Sequence, residues 1–158
     1  MALEIERKFL VKKELLPFAE QKIKMIQGYI PAEAGTVVRI RTENEVAKLT
    51  IKAKKSDLVR YEYEYDIPVE DALEMLDKLC EKPLVEKIRH IIPHGNHTWE
   101  VDYFEKENQG LIVAEIELDD ESETFVKPEW VDREVTDKKE YRNNYLAKQP
   151  YQTWERDY

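Results

Sequence analysis

The chain has 158 residues, 42% hydrophobic and 37% charged, with only four glycines and seven prolines. This is the composition of one globular domain unusually rich in charge, and it excludes fibrous and low-complexity classes. A formal net charge of −9 argues against non-specific nucleic-acid binding, although a local cluster of the 25 Lys and Arg residues could still hold a polyanion.

The N-terminus reads as strand rather than signal peptide, because Glu4, Glu6, Arg7 and Lys8 interrupt its apolar residues. In Leu3–Val11 Glu4, Glu6 and Lys8 alternate with Ile5, Arg7 and Phe9, the period-two mark of a strand with two different faces. A short helix with Pro17 inside it is expected over 13–21, then an apolar strand over 23–30 ending in Gln27, Gly28 and Tyr29. Residues 36–42 carry Arg39 and Arg41 on one face, and 47–54 alternate Lys48, Thr50, Lys52 and Lys54 against Leu49, Ile51 and Ala53. In Val59–Ile67 Arg60, Glu62, Glu64 and Asp66 oppose three tyrosines.

A helix over 70–81 follows, with Ala72, Leu73, Leu76 and Leu79 at helical spacing between Pro68 and Pro83. Cys80 falls on this apolar stretch and reads as a core thiol; as the single cysteine it excludes an internal disulfide framework. Strands are expected over 85–92 with Lys87 and Arg89, over 98–103 with Glu100 and Asp102, and over Ile112–Leu118 with Glu115 and Glu117. A helix over 121–127 would stop at Pro128, and another over 136–148 would be capped by Thr136. The domain is thus read as 1–148, with 149–158 as a C-terminal tail. No apolar run approaches the roughly 20 residues that span a bilayer, so a cytoplasmic protein without membrane partners is expected.

About eight short strands with a few helices give an α+β chain whose strands form an antiparallel β-barrel, since closure removes exposed edges. Periodicity establishes two-faced strands but not which face is inside. If the ionic faces converge, Lys8, Arg39, Arg41, Lys52, Lys87 and Arg89 form a cluster suited to phosphate oxygens. The acids Glu4, Glu6, Glu62, Glu64, Glu100, Asp102, Glu115 and Glu117 would then offer hard oxygen ligands suited to Mg²⁺ or Mn²⁺. His90, His94 and His97 lack a cysteine partner and read as surface residues rather than a zinc site. No Gly-rich phosphate loop and no Gly-x-Ser-x-Gly elbow is present.

Glu4-Ile5-Glu6-Arg7-Lys8 has the form Glu-x-Glu-x-Lys. It is followed in order by Arg39-Ile40-Arg41, Lys52, Arg60 with Glu62 and Glu64, Lys87-Ile88-Arg89, Glu100-Val101-Asp102, Glu115-Ile116-Glu117 and Thr136 to Asn143. This series resembles the CYTH superfamily, the triphosphate tunnel metalloenzymes, over nearly the whole chain. The resemblance implies an eight-stranded barrel with the ionic faces inside. It implies phosphate binding by Lys8, Arg39, Arg41, Lys52, Lys87 and Arg89, and metal binding by Glu4, Glu6, Asp102, Glu115 and Glu117. Glu62 and Glu64 would orient the basic residues. Short bacterial members opening Glu-Arg-Lys-Phe-Leu-Val look like inorganic tripolyphosphatases, where a Tyr–Lys pair is implied to activate water; here that pair is Tyr29 and Lys87. Arg7, on the opposite face, is expected to tie down a covering helix.

The leading expectation is metal-dependent hydrolysis of tripolyphosphate to pyrophosphate and phosphate. Thiamine triphosphatase and class IV adenylyl cyclase activity are alternatives on the same fold. A non-catalytic polyphosphate-binding module is a further one, disfavoured because a binder has no use for paired carboxylates. The sequence does not set the oligomeric state and is compatible with a homodimer.

Overall fold

The structure, a computed structural model, describes residues 3–154. Nine strands are found among the described residues: β1 (Leu3–Val11), β2 (Gln21–Ile30), β3 (Thr36–Glu43), β4 (Val46–Lys54), β5 (Val59–Ile67), β6 (Val85–His94), β7 (His97–Phe104), β8 (Ile112–Leu118) and β9 (Val131–Glu134). Two α-helices accompany them, α1 (Val69–Lys78) and α2 (Asn143–Lys148). All pairings are antiparallel, in the order β5-β4-β3-β2-β6-β7-β8-β1. β1 then pairs with β5 through Leu3↔Tyr61 and Glu4↔Arg60, closing an eight-stranded barrel. The expected α+β barrel is therefore present. β9 lies outside the ring: β5 leaves the edge of β1 beyond Ile5, and β9 takes that edge over at Phe9 and Val11.

Alternation sorts each strand's residues between two environments. The apolar faces point outward and are covered in two places, and a third apolar cluster closes one end of the interior. Along β2, β3 and β4, α1 buries Ala72 and Leu76, with Cys80 beyond it, against Ile40 and Ala47. At this crossing β2 needs a glycine, because a Cβ on Gly28 would stand 2.7 Å from the Cβ of Cys80. On the other side Phe125 and Trp130, from the segment after β8, pack edge-on against Trp99, which also meets Phe9. At one end of the barrel Leu146 and Ala147 of α2 sit on Tyr29, Val85, Phe104 and Val113 and act as a plug. Each large apolar side chain buried in these layers contributes about 1.5–3 kcal/mol, which is what allows the barrel interior to be ionic.

Local expectations fail where side chains compete with the backbone. The helix expected over 13–21 is one 3-10 turn at Lys13–Leu15, after which Pro17 and a fully paired β2 take the chain. No helix forms over 121–127: the Asp120 carboxylate accepts the Ser122 N–H and the Asp120 carbonyl accepts the Glu123 N–H at 3.1 Å, a single turn that is not continued. Thr136 caps nothing. Its hydroxyl accepts the Lys8 N–H and donates to Glu134, leaving a 3-10 turn at Lys139–Tyr141 before the short α2. Arg7 grips Glu134 through two nitrogens, at 2.8 and 2.5 Å, so it fastens the strand β9 rather than a helix. Of the segment expected as a tail, 155–158 lies outside the described residues. Tyr151 donates its N–H to Asn108 and Trp154 packs on Tyr141. Among the described residues no helix is long and apolar enough to cross a membrane.

Candidate active site

The inward faces of the strands surround a tunnel of about 280 Å³. Paired positions two apart on a strand bring Arg39 and Arg41 from β3, Lys87 and Arg89 from β6, Glu4, Glu6 and Lys8 from β1, and Glu115 and Glu117 from β8 to its wall. Lys52 enters from β4, Glu62 and Glu64 from β5, and Tyr29 from β2. Among the candidates read from the sequence, Asp102 alone does not line the space. It is fully buried behind it, and Glu117 stands at the exposed rim.

Toward the α2 end, one buried network organises the wall. The Asp102 carboxylate accepts Arg89 Nε at 2.8 Å and Nη2 at 3.0 Å, and pairs with Lys87 Nζ at 2.8 Å. Burial alone would raise the Asp102 carboxyl, but Arg89 and Lys87 hold it at about 2. Both its oxygens are engaged by cations, so it orients the two basic side chains. Lys87 Nζ also donates to Asn143 Oδ1 at 2.7 Å. Complete burial, aided by repulsion from Arg89 and Arg41, lowers the Lys87 amine to about 7 in spite of Asp102. Gln27 Nε2 donates to the Tyr29 hydroxyl at 2.7 Å and to Asn143 Oδ1 at 3.0 Å, while its carbonyl accepts Arg41 Nε at 2.9 Å. Burial beside Arg39 and Arg89 brings the Arg41 guanidinium down to about 10.

Elsewhere several carboxylates fix a base. Lys52 reaches Glu4 at 3.0 Å and Glu62 at 3.4 Å, Lys8 meets Glu115 at 3.7 Å, and Glu64 approaches Arg39 at 3.6 Å. Arg39 Nε is nevertheless buried without a hydrogen-bond partner, a donor that a bound anion would satisfy.

No group of three or more acidic, His or Cys side chains forms a ready-made metal cage among the described residues. What they offer is a crowded pair. Glu6 and Glu115 lie within hydrogen-bonding reach of each other, with Glu4 adjacent. Burial and these two neighbours raise the Glu6 carboxyl well above its ordinary value; Glu115 resists burial because Lys8 and Arg89 face it, and stays well below. Such a site fits a hard divalent cation of the Mg²⁺ type, which uses one or two carboxylates and completes its shell with substrate phosphates and water.

Charge alternation did not reveal Gln27 or Asn143, which are neutral and leave no mark in an ionic pattern. Arg142, just before α2, also reaches the tunnel. His90 stacks on Tyr103 outside the barrel and His97 pairs with Glu123, as befits surface histidines.

A sequence profile of the CYTH domain matches residues 2–148. The chain belongs to the CYTH domain family. Among CYTH relatives it is 44% identical over 154 residues to an inorganic triphosphatase of Acetivibrio thermocellus, covering 98% of this chain and 99% of the relative. It is 35% identical over 150 residues to an inorganic triphosphatase of Nitrosomonas europaea, covering 91% and 96%. A solved crystal structure of an inorganic triphosphatase superposes with a TM-score of 0.66 at 32% identity, covering 93% of this chain and 95% of the other. CYTH triphosphatases are in general metal-dependent.

Proposed function

We propose that this CYTH protein hydrolyses inorganic tripolyphosphate to pyrophosphate and phosphate within its tunnel. The observation that carries the reading is the closed ring of buried Lys and Arg around the cavity, with an unpartnered Arg39 nitrogen on one side and crowded carboxylates on the other. The relatives named inorganic triphosphatase support it. Lys8, Arg39, Arg41, Lys52 and Arg89 hold the phosphate oxygens, while Glu62 and Glu64 keep Lys52 and Arg39 in place. Glu4, Glu6, Glu115 and, at the rim, Glu117 hold the cation, Mg²⁺ or Mn²⁺. When bound, that cation neutralises charge on the phosphate chain and favours in-line displacement.

Lys87 serves as the base. Near neutrality its amine is partly uncharged; two of its hydrogens go to Asp102 and Asn143, and the remaining lone pair accepts a proton from water. The water oxygen bonds to the terminal phosphorus as the bridging oxygen departs with pyrophosphate. Tyr29, held by Gln27, presents its hydroxyl beside this position. Among the residues lining the tunnel Tyr29 is the single aromatic, so no stacking surface selects a nucleobase or thiazole.

Purified protein should release phosphate from tripolyphosphate faster than from ATP or thiamine triphosphate, with Mg²⁺ or Mn²⁺ present. Cyclic AMP from ATP would instead make it a cyclase, and tight binding without release from any of the three would make it a binding module. Asn143→Ala tests the positioning of the base. Loss of a buried acceptor to Lys87 and Gln27 costs about 1–3 kcal/mol, so kcat should fall about tenfold to a hundredfold with KM nearly unchanged. A rise in KM at constant kcat would move Asn143 to substrate holding.

A further inference from the structure

We propose that Arg60 and Arg142 form an anion subsite at the tunnel mouth, which takes the fourth phosphoryl group of a linear inorganic polyphosphate. This rests on the triphosphate reading of the tunnel and extends it outward. Arg60 lies on β5 at the seam where the barrel closes, opposite Glu4 of β1 and Lys54 of β4. Arg142 immediately precedes α2. Both line the tunnel, and both also line an adjoining outer cavity of about 250 Å³, between the segment around Gly35 and that around Ser56. They therefore stand where the two spaces meet.

The buried cations of the tunnel have carboxylate partners: Lys87 and Arg89 share Asp102, Lys8 meets Glu115, and Lys52 meets Glu4. Among the described residues Arg60 and Arg142 have none. The Glu4 carboxylate across the seam from Arg60 is held by Lys52 at 3.0 and 3.2 Å. Arg142 Nε is buried without a hydrogen-bond partner, and burial together with the charge of Arg60 lowers its guanidinium. Two like charges, one with an unsatisfied buried N–H, are costly unless an anion lies between them. A phosphoryl group carries enough oxygens to accept from both forks.

Space and chemistry favour an inorganic chain over a nucleotide. The outer cavity is nearly as large as the tunnel, yet no aromatic ring among the described residues lines it, so a base emerging there would find none of them to stack on. A chain of four or more phosphates would pass from the tunnel between the two arginines, whereas tripolyphosphate would occupy the tunnel alone.

The test is calorimetric titration of the full chain with tripolyphosphate and with linear tetrapolyphosphate, under chelator so that neither is consumed. Wild type should bind tetrapolyphosphate about tenfold or more tightly, the scale of one or two charge-assisted hydrogen bonds. Arg142→Gln and Arg60→Gln should each erase that difference and leave tripolyphosphate affinity nearly unchanged. They lie on different elements, so a folding defect in one leaves the other as the test. Equal affinity of wild type for both anions overturns the subsite. So does equal weakening of both anions by the variants, which would return the arginines to the triphosphate site itself. Binding of neither anion by wild type would overturn the triphosphate reading and this subsite with it.

Discussion

Lys87→Met is expected to lower kcat for tripolyphosphate by about a hundredfold to ten-thousandfold, the range carried by a positioned proton acceptor. KM should change far less and Tm should hardly move. The unequal effects follow from how the amine is held. Lys87 is completely buried, and burial has already brought its amine down to about 7, so the fold gains little from its charge. Asp102 would not be stranded by the substitution, because Arg89 still reaches both its oxygens at 2.8 and 3.0 Å. Breaking a buried ion pair is normally destabilising because the surviving charge is left alone; here a second cation covers it. Methionine replaces the aliphatic stem and removes only the amine. Steady-state kinetics and thermal unfolding on the same preparation decide the matter. A variant retaining more than about a tenth of wild-type kcat would remove Lys87 from the chemistry, and a large fall in Tm would make it a structural residue.

The barrel was legible because most of its strands alternate ionic and apolar residues, from Glu4 and Lys8 to Glu115 and Glu117. Which face was inside could not be read from period two, which is symmetric between the faces; the packing of Phe9, Trp99 and Trp130 on the outside settles it. Asp102 looked like a tunnel residue because it shares a face with Glu100, and position along the strand separates them. Asp102 sits opposite Arg89 near the plugged end, where Arg89 and Lys87 close over it, while Glu100 one step along reaches the cavity. β9 was missed because Val-Asp-Arg-Glu over four residues has no readable period. It exists because β1 outruns β5 and offers a free edge. Gln27 and Asn143 were missed for a different reason. Two linked amides, Gln27 on Tyr29 and Arg41 and Asn143 on Lys87, act through geometry, which spacing between charged residues does not encode.

Glu6→Gln should move two observables in opposite directions. In chelator its Tm is expected to rise by a few degrees, the shift that about 1 kcal/mol produces in a chain of this size. Glu6 lies against Glu115 and Glu4, and its carboxyl is raised well above its ordinary value by burial first and by those two neighbours next. A raised acid opposes folding wherever the unfolded chain would ionise it, so a neutral amide of the same shape relieves the fold at neutral pH. Activity at limiting Mg²⁺ or Mn²⁺ should meanwhile fall about a hundredfold or more, since a bound cation supplies several kcal/mol to such a reaction. Excess Mn²⁺ should restore part of it. Glu115→Gln provides the contrast: Glu115 faces Lys8 and Arg89, which hold its carboxyl well below the usual range, so removing its charge should lower Tm as well as activity. If Glu6→Gln lost stability, and its activity fell equally at every metal concentration, Glu6 would belong to the scaffold and the cation would have to be held elsewhere.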